Sequence, residues 1–214
     1  MSLISEEDSK YLKEEFNNNL KRKVILLYFQ KEKDETEYSK QTMELLEELA
    51  SLNENLSLTV EICDNSDRMK KEELTLCPSI KIKSDRTGFV NFYGVPAGHE
   101  FISLIEGIKD MGSDNLALPE DVINGLKEIE KPIDIKVFIT HGCPYCTGAV
   151  RTAHQFSLVN ENIKSSMVDA NYFRELSMKH GVSSVPHIII NDQTGFVGNI
   201  PPEAFLNKVN EALK

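Results

Sequence analysis

Two prolines 108 residues apart, each opening a β-branched run, constrain this chain more than any other feature. Pro78 leads "PSIKIK" and Pro186 leads "PHIII". The tetrapeptide TGFV follows each, at Thr87–Val90 and Thr194–Val197, an offset of 107. Upstream, "KVILLYF" from Lys23 matches "KVFIT" from Lys136 at an offset of 113, and "LKE" recurs at Leu12 and Leu126, an offset of 114. Matches in one order at nearly constant offset indicate a duplicated unit, and a repeat that goes unnoticed miscalls the fold.

Each copy reads, by period and punctuation, as helix, strand, helix, strand, helix, proline-started strand, short strand and final helix. In the second copy the pieces are "EDVINGLKEIE", "IKVFIT", "PYCTGAVRTAHQFSLV", "IKSSMVDA", "YFRELSMKH", "PHIII", "GFVG" and "PEAFLNKVNEAL". Strands alternating with helices imply a partly parallel sheet covered by helices. The β-α-β then β-β-α order describes an α/β fold of two tandem thioredoxin-like units, each a four-stranded mixed sheet flanked by helices. The connector "MGSDNLALPED", Met111 to Asp121, places the boundary near Leu116, with units at 1–115 and 116–214.

A net charge of −10 argues against a nucleic-acid partner, which needs clustered Lys and Arg. The longest apolar runs, such as "VILLYF", fall far short of the ~20 residues that span a bilayer, and no basic amphipathic face offers itself to a membrane surface. The start of the chain is acidic and polar and lacks the positive-then-apolar pattern of a secretory signal, so a cytoplasmic location is expected.

Two of the four cysteines, Cys143 and Cys146, lie in "THGCPYCTGAV". A zinc site would want a second close pair, but Cys63 and Cys77 are 14 apart in the other copy and the histidines are scattered. Covalent haem needs His after the second Cys, where Thr147 stands. A structural bond closing so short a loop stabilises little. The redox reading remains, because the pair opens a helix whose unpaired N–H groups and dipole favour a thiolate. Cys143 is the expected attacking thiol and Cys146, one turn later, the resolving one. No metal is expected. Tyr145 is expected to shield the disulfide and meet partners. A cis Val185–Pro186 bond would leave the backbone of Val185 unpaired beside Cys143, open to an extended substrate segment.

With "CPYC" followed by "VRTAHQFS", "HGVSSVPHIIIN", and "FYGVPAGHEF" at Phe92–Phe101, the chain resembles the archaeal and bacterial protein disulfide oxidoreductases. These are glutaredoxin-like proteins of two thioredoxin-fold units, and the resemblance covers almost the whole chain. It also looks somewhat like the N-terminal domain of the flavoprotein component of alkyl hydroperoxide reductase. The resemblance implies thiol–disulfide exchange with protein disulfide substrates and no bound cofactor. It implies electrons from a thioredoxin-reductase-like flavoenzyme. The alternative readings are a dedicated electron donor to a peroxiredoxin and a non-catalytic thioredoxin-fold binding module. Ordinary glutaredoxins hold glutathione through a Gly-Gly and a capping Asp, and "GFVGNIPPEAF" has neither.

Most members of the resembled family carry a CxxC in the first unit as well. Stepping back from Pro78 reaches Thr36-Glu37-Tyr38-Ser39, where a hydroxyl stands at each cysteine position. Hydroxyls do no disulfide exchange, so the first unit is expected to be redox-inactive, with Thr36 capping its helix. Cys77 is expected to be a small filler beside Pro78, or else an oxidant-sensitive thiol. Cys63 is expected to be a buried hydrophobe. A Cys63–Cys77 bond is not expected, because their strands flank the central strand on opposite sides. His154 is expected to pack and Asp169 to serve a turn or cap. His141 reads equally as a charge that tunes Cys143 or as an exposed loop residue.

Overall fold

The computed structural model describes residues 3–33, 36–63 and 66–214, with the side chain of Ser66 left aside. In the first copy the order is α1 (Glu6–Asn19), β1 (Val24–Gln30), α2 (Glu37–Ser51), β2 (Leu56–Ile62), α3 (Ser66–Lys71), β3 (Ser79–Lys83), β4 (Val90–Tyr93) and α4 (Glu100–Gly112). The second copy repeats it as α5 (Glu120–Lys127), β5 (Ile133–Ile139), α6 (Cys146–Ser157), β6 (Ile163–Asp169), α7 (Arg174–Lys179), β7 (His187–Ile190), β8 (Thr194–Val197) and α8 (Pro202–Glu211). The chain is thus two tandem thioredoxin-like units, each with four strands.

The two units share one sheet, ordered β2-β1-β3-β4-β6-β5-β7-β8. Within each unit the central strand pairs parallel with one neighbour and antiparallel with the other. The junction is a parallel pairing of β4 with β6, from Val90↔Ser165 to Tyr93↔Val168. The six strands β1, β2, β4, β5, β6 and β8 therefore run the same way and end on the same edge of the sheet. The larger core covers one face with α1, α2, α4, α5, α6 and α8, and a smaller one lies under α3 and α7 on the other.

The repeat is real, but its register drifts along the chain. The central strands correspond at an offset of 109, Val24 with Ile133. Helices α2 and α6 correspond at 107: the buried Ser39, Thr42, Leu46 and Leu49 fall on the buried Cys146, Ala149, Ala153 and Phe156. The loop between β1 and α2 is accordingly two residues longer than its counterpart. Cis-Pro78 and cis-Pro186 correspond at 108. The TGFV match does not survive: its second copy is β8, while Thr87–Phe89 precede β4, whose Val90 holds the pairing position of Thr194. Gly88 is fixed there for another reason. Its φ is +81°, and an added Cβ would sit on the Ser157 carbonyl at the end of α6.

A better repeat is Asn-Glu-Asn, at Asn53–Asn55 and Asn160–Asn162. Asn55 N–H donates to Asn53 Oδ1 at 2.8 Å, and Asn162 N–H to Asn160 Oδ1 at 2.9 Å. Asn55 Nδ2 donates to the Leu20 carbonyl and Asn162 Nδ2 to the Ile129 carbonyl, which ties off the chain leaving α1 and α5. In each unit the second Asn carbonyl then accepts the first N–H of the central strand. Both turns stitch a helix end to a strand start.

Candidate functional site

Cys143 and Cys146 are joined as a disulfide where the loop after β5 enters α6, with Cα atoms 5.6 Å apart. Cys143 keeps 8% of its surface exposed and Cys146 none. α6 has neither a side-chain cap nor an acidic residue in its first turn, so its free N–H groups and dipole face the Cys143 end. The asymmetry suits an outer attacking sulfur and an inner resolving one. Tyr145, between them, is 71% exposed. The Val185–Pro186 bond is cis, and no backbone hydrogen bond engages Val185 among the described residues. Beside it lies a groove of about 310 Å³ lined by Thr140, Ala170, Asn171, Met178 and Ser183 through Val185. Met178 is 72% exposed on its rim.

The first unit reaches into this site. The loop after β4 lays Gly98 on the His141 carbonyl so closely that a Cβ would sit 2.6 Å from it, and Gly98 takes a φ of +60°. The His99 N–H donates to the same carbonyl at 3.2 Å. His141 is therefore neither a free loop residue nor a bare charge. Its Nε2 lies 2.9 Å from the Val95 carbonyl and 3.1 Å from Asp169 Oδ2. The hydrogen bond to Asp169 holds the imidazole above its usual pKa, against the opposing effect of burial. Burial pushes the Asp169 carboxyl up, but His141 and the Asn171 and Tyr172 N–H groups hold it below its usual range. Asp169 is both the expected turn residue, accepting from Asn171 and Tyr172, and the partner of His141. His154 packs edge-on against Phe92, and burial drops its pKa to about 3.

Glu100 is the residue that sequence reasoning missed. It opens α4, is fully buried, and accepts from Ser103 Oγ at 2.5 Å while its Oε1 has no partner. Burial pushes its pKa to about 7, against the lowering effects of Ser103 and of His141. Glu100 follows directly on His99, whose N–H meets the loop that carries Cys143. Nothing local in "AGHEF" signals this burial. Its only sequence trace is a Glu at a helix start amid apolar residues, a pattern that usually means an exposed cap.

Cys63 and Cys77 overturn the expectation set for them. They are bonded, with Cα atoms 6.2 Å apart. Their strands do flank β1, and across a central strand they would stand roughly 10 Å apart. Yet Cys63 lies one residue past the last β2 pair, Ile62↔Gln30, and Cys77 two before the first β3 pair, Ser79↔Phe29. Beyond the end of β1 nothing separates the flanking chains, so they close over it to bridging distance. Thr36 behaves as expected, capping α2 by accepting from Ser39 N–H at 3.3 Å. Among the described residues no helix is long and apolar enough to cross a membrane.

Residues 133–211 match the family described as a thioredoxin domain. Across the whole chain, the NTD_N/C domain of alkylhydroperoxide reductase AhpF from Enterococcus faecalis superposes with a TM-score of 0.87 at 25% identity, covering 96% of this chain and 99% of that one. A protein disulfide oxidoreductase from Aeropyrum pernix gives a TM-score of 0.86 at 28% identity, covering 97% and 93%. The chain has the tandem thioredoxin fold of these proteins, and its residues 133–211 match the thioredoxin domain. It is a redox protein of that fold with a CxxC disulfide. Among curated relatives, the alkyl hydroperoxide reductase AhpF from Staphylococcus aureus is 29% identical over 175 residues, 81% of this chain and 32% of that protein. The Pseudomonas aeruginosa AhpF is 26% identical over 178 residues, 83% and 32%. The chain spans about a third of the length of these relatives.

Proposed function

We propose that this chain exchanges dithiol for disulfide with protein substrates through Cys143 and Cys146. The observation that carries the reading is the asymmetric disulfide at an uncapped helix start, beside a strand backbone left open at Val185. In the reducing direction, the Cys143 thiolate attacks one sulfur of a substrate disulfide and the other sulfur leaves as a thiolate. Cys146 then attacks the Cys143 sulfur of the mixed disulfide, which frees the second substrate thiol and restores the Cys143–Cys146 bond. Two electrons pass to the substrate, and its two thiolates take up protons. Val185 and Pro186 would align an extended substrate backbone, while Tyr145 and Met178 would cover the reacting sulfurs. The first unit, at 1–115, would position the site through its 95–100 loop rather than through a CxxC of its own, and the second unit, 116–214, would carry the exchange.

A second reading is favoured by the AhpF relatives: a dedicated electron donor to a peroxiredoxin, with a thioredoxin-reductase-like flavoenzyme as source. Insulin reduction by dithiothreitol and peroxide consumption coupled to a peroxiredoxin separate the two. Cys143→Ser, made together with Cys63→Ser and Cys77→Ser, is expected to lower either activity by about 10³-fold or more relative to the Cys63→Ser, Cys77→Ser protein, since oxygen replaces the attacking sulfur of the CxxC. Retention of activity in that variant would sink both readings.

A further inference from the structure

The groove beside the CxxC has a counterpart in the first unit, and that counterpart is spanned by sulfur. Ala170 follows β6 and donates its N–H to the last carbonyl of β5, as Cys63 follows β2 and donates to the last carbonyl of β1. Val185 precedes cis-Pro186 as Cys77 precedes cis-Pro78. Ala170 and Val185 both line the groove where a substrate strand would lie in the second unit. Cys63 and Cys77 occupy those two places in the first unit, bonded to each other, while the helix-start positions hold Thr36 and Ser39. The sulfur pair has moved from the helix to the strand ends, yet stays on the edge of the sheet that carries Cys143.

Two further observations distinguish this bond from a buried staple. Both cysteines are only partly buried, unlike Cys146. Cys63 packs only at the rim of the smaller core, with Met69 and Leu76. The bond also lies at one end of a surface that continues to the CxxC. From Gln30, which pairs with Cys63, the chain runs into Lys31 and Lys33, which line a cavity of about 580 Å³ with Tyr38, Tyr172, Asp169 and His141. His141 is two residues from Cys143.

We propose that Cys63–Cys77 is a second, reversible dithiol–disulfide centre that exchanges with external dithiols, protein dithiols above all, independently of Cys143 and Cys146. A thiolate of the incoming dithiol attacks Cys77 Sγ, and Cys63 leaves as a thiolate. The second thiol of the dithiol, once ionised, attacks the incoming sulfur of the mixed disulfide and releases Cys77. Cys63 and Cys77 take up the two protons, the dithiol becomes a disulfide, and two electrons enter the first unit. Cys77 is the sulfur attacked because it stands at the docking position beside Pro78, while Cys63 leans on the core.

The test uses the full chain with Cys143→Ser and Cys146→Ser, so that failure of the CxxC reading cannot be confused with failure of this one. The air-oxidised protein is equilibrated with graded ratios of reduced to oxidised dithiothreitol, quenched in acid and alkylated in denaturant for mass analysis. Circular dichroism is recorded at each ratio before quenching. Both cysteines are expected to titrate together as one two-electron couple while the fold persists, and to re-form the bond on reoxidation. Peptide mapping after a short pulse of the monothiol 2-mercaptoethanol, which has no second thiol to release Cys77, followed by alkylation is expected to find the mixed disulfide on Cys77. A bond that opens only when the protein is unfolded in denaturant would make it a staple and overturn the proposal, as would free thiols in the air-oxidised protein.

Discussion

Glu100 and His141 give the site its charge balance, and their pH behaviours carry opposite lessons. Glu100 ionises less readily folded than unfolded, because burial removes water from its carboxylate. Its folded pKa is raised, so its contribution is fully present below the unfolded value near 4.5 and is lost as pH rises through about 7. Glu100→Gln is therefore expected to gain stability relative to the parent on going from pH 5 to pH 8.5, by up to about 3 kcal/mol. Urea denaturation at the two pH values measures it, and a pH-independent difference would remove Glu100 as a buried titrating group. His141 is raised by Asp169, so its pairing stabilises below its unfolded pKa and fades as pH climbs through the folded one. Asp169, whose pKa is depressed, contributes above its unfolded value and loses that contribution only as pH falls through its folded one. His141→Gln is thus expected to cost more at pH 5.5 than at pH 8.5, by denaturation at both.

Among the elements, α6 and α2 have the same burial phase but different starts. α2 is capped by Thr36, whose side chain accepts the Ser39 N–H, whereas the matching Cys146 N–H of α6 has no side-chain cap and donates to the Cys143 carbonyl at 3.4 Å. One helix is finished as a scaffold, and the other keeps its dipole for sulfur. The Asn-Glu-Asn turns show how a short polar motif sets the strand after a helix. Asn160 Nδ2 donates to the Leu126 and Ile129 carbonyls at 2.8 Å, while its Oδ1 accepts from Asn162. Asn160→Ala removes these three hydrogen bonds and takes the side-chain acceptor from the Asn162 N–H, and is expected to cost about 2 kcal/mol, read from the denaturation midpoint. Arg86 performs a similar service across units, donating to the Ser113 carbonyl at 2.6 Å and to the Leu158 carbonyl at 3.4 Å. It thereby joins the C-terminal ends of α4 and α6, where a cation is favoured.

At the scale of the whole molecule, the two units are bound by backbone and by charge. β4 and β6 make the sheet continuous, so neither unit closes its own edge without the other. Above them Asp110 on α4 is nearly buried and accepts from Arg151 at 3.0 and 3.1 Å and from Gln155 at 2.9 Å, both on α6. Glu106 adds a second carboxylate on Arg151 at 2.8 Å. Asp110→Ala strands Gln155 and weakens the hold on Arg151, and is expected to cost about 2 kcal/mol after allowance for Arg151's partial exposure. With the junction intact, chemical unfolding followed by circular dichroism and by hydrogen exchange in each unit is expected to give one coincident transition. Separate midpoints for the two units would show that the shared strand pairing does not couple them.

The duplication, the order of elements and the CxxC at a helix start are legible in the sequence, because period, proline placement and cysteine spacing are local signals. Register within the repeat is not: loop lengths differ between copies, so TGFV aligned by letter falls on different places in the hairpin. The buried Glu100 escapes too, since only packing against the other unit strips its water. The Cys63–Cys77 bond defies a rule that holds along a sheet and lapses where the central strand ends. The amino-acid order by itself determined which residues carry sulfur and in what order helices and strands follow one another. Only the tertiary structure decided which sulfurs and charges meet, because that depends on where strands stop and which unit's loop lies over which edge.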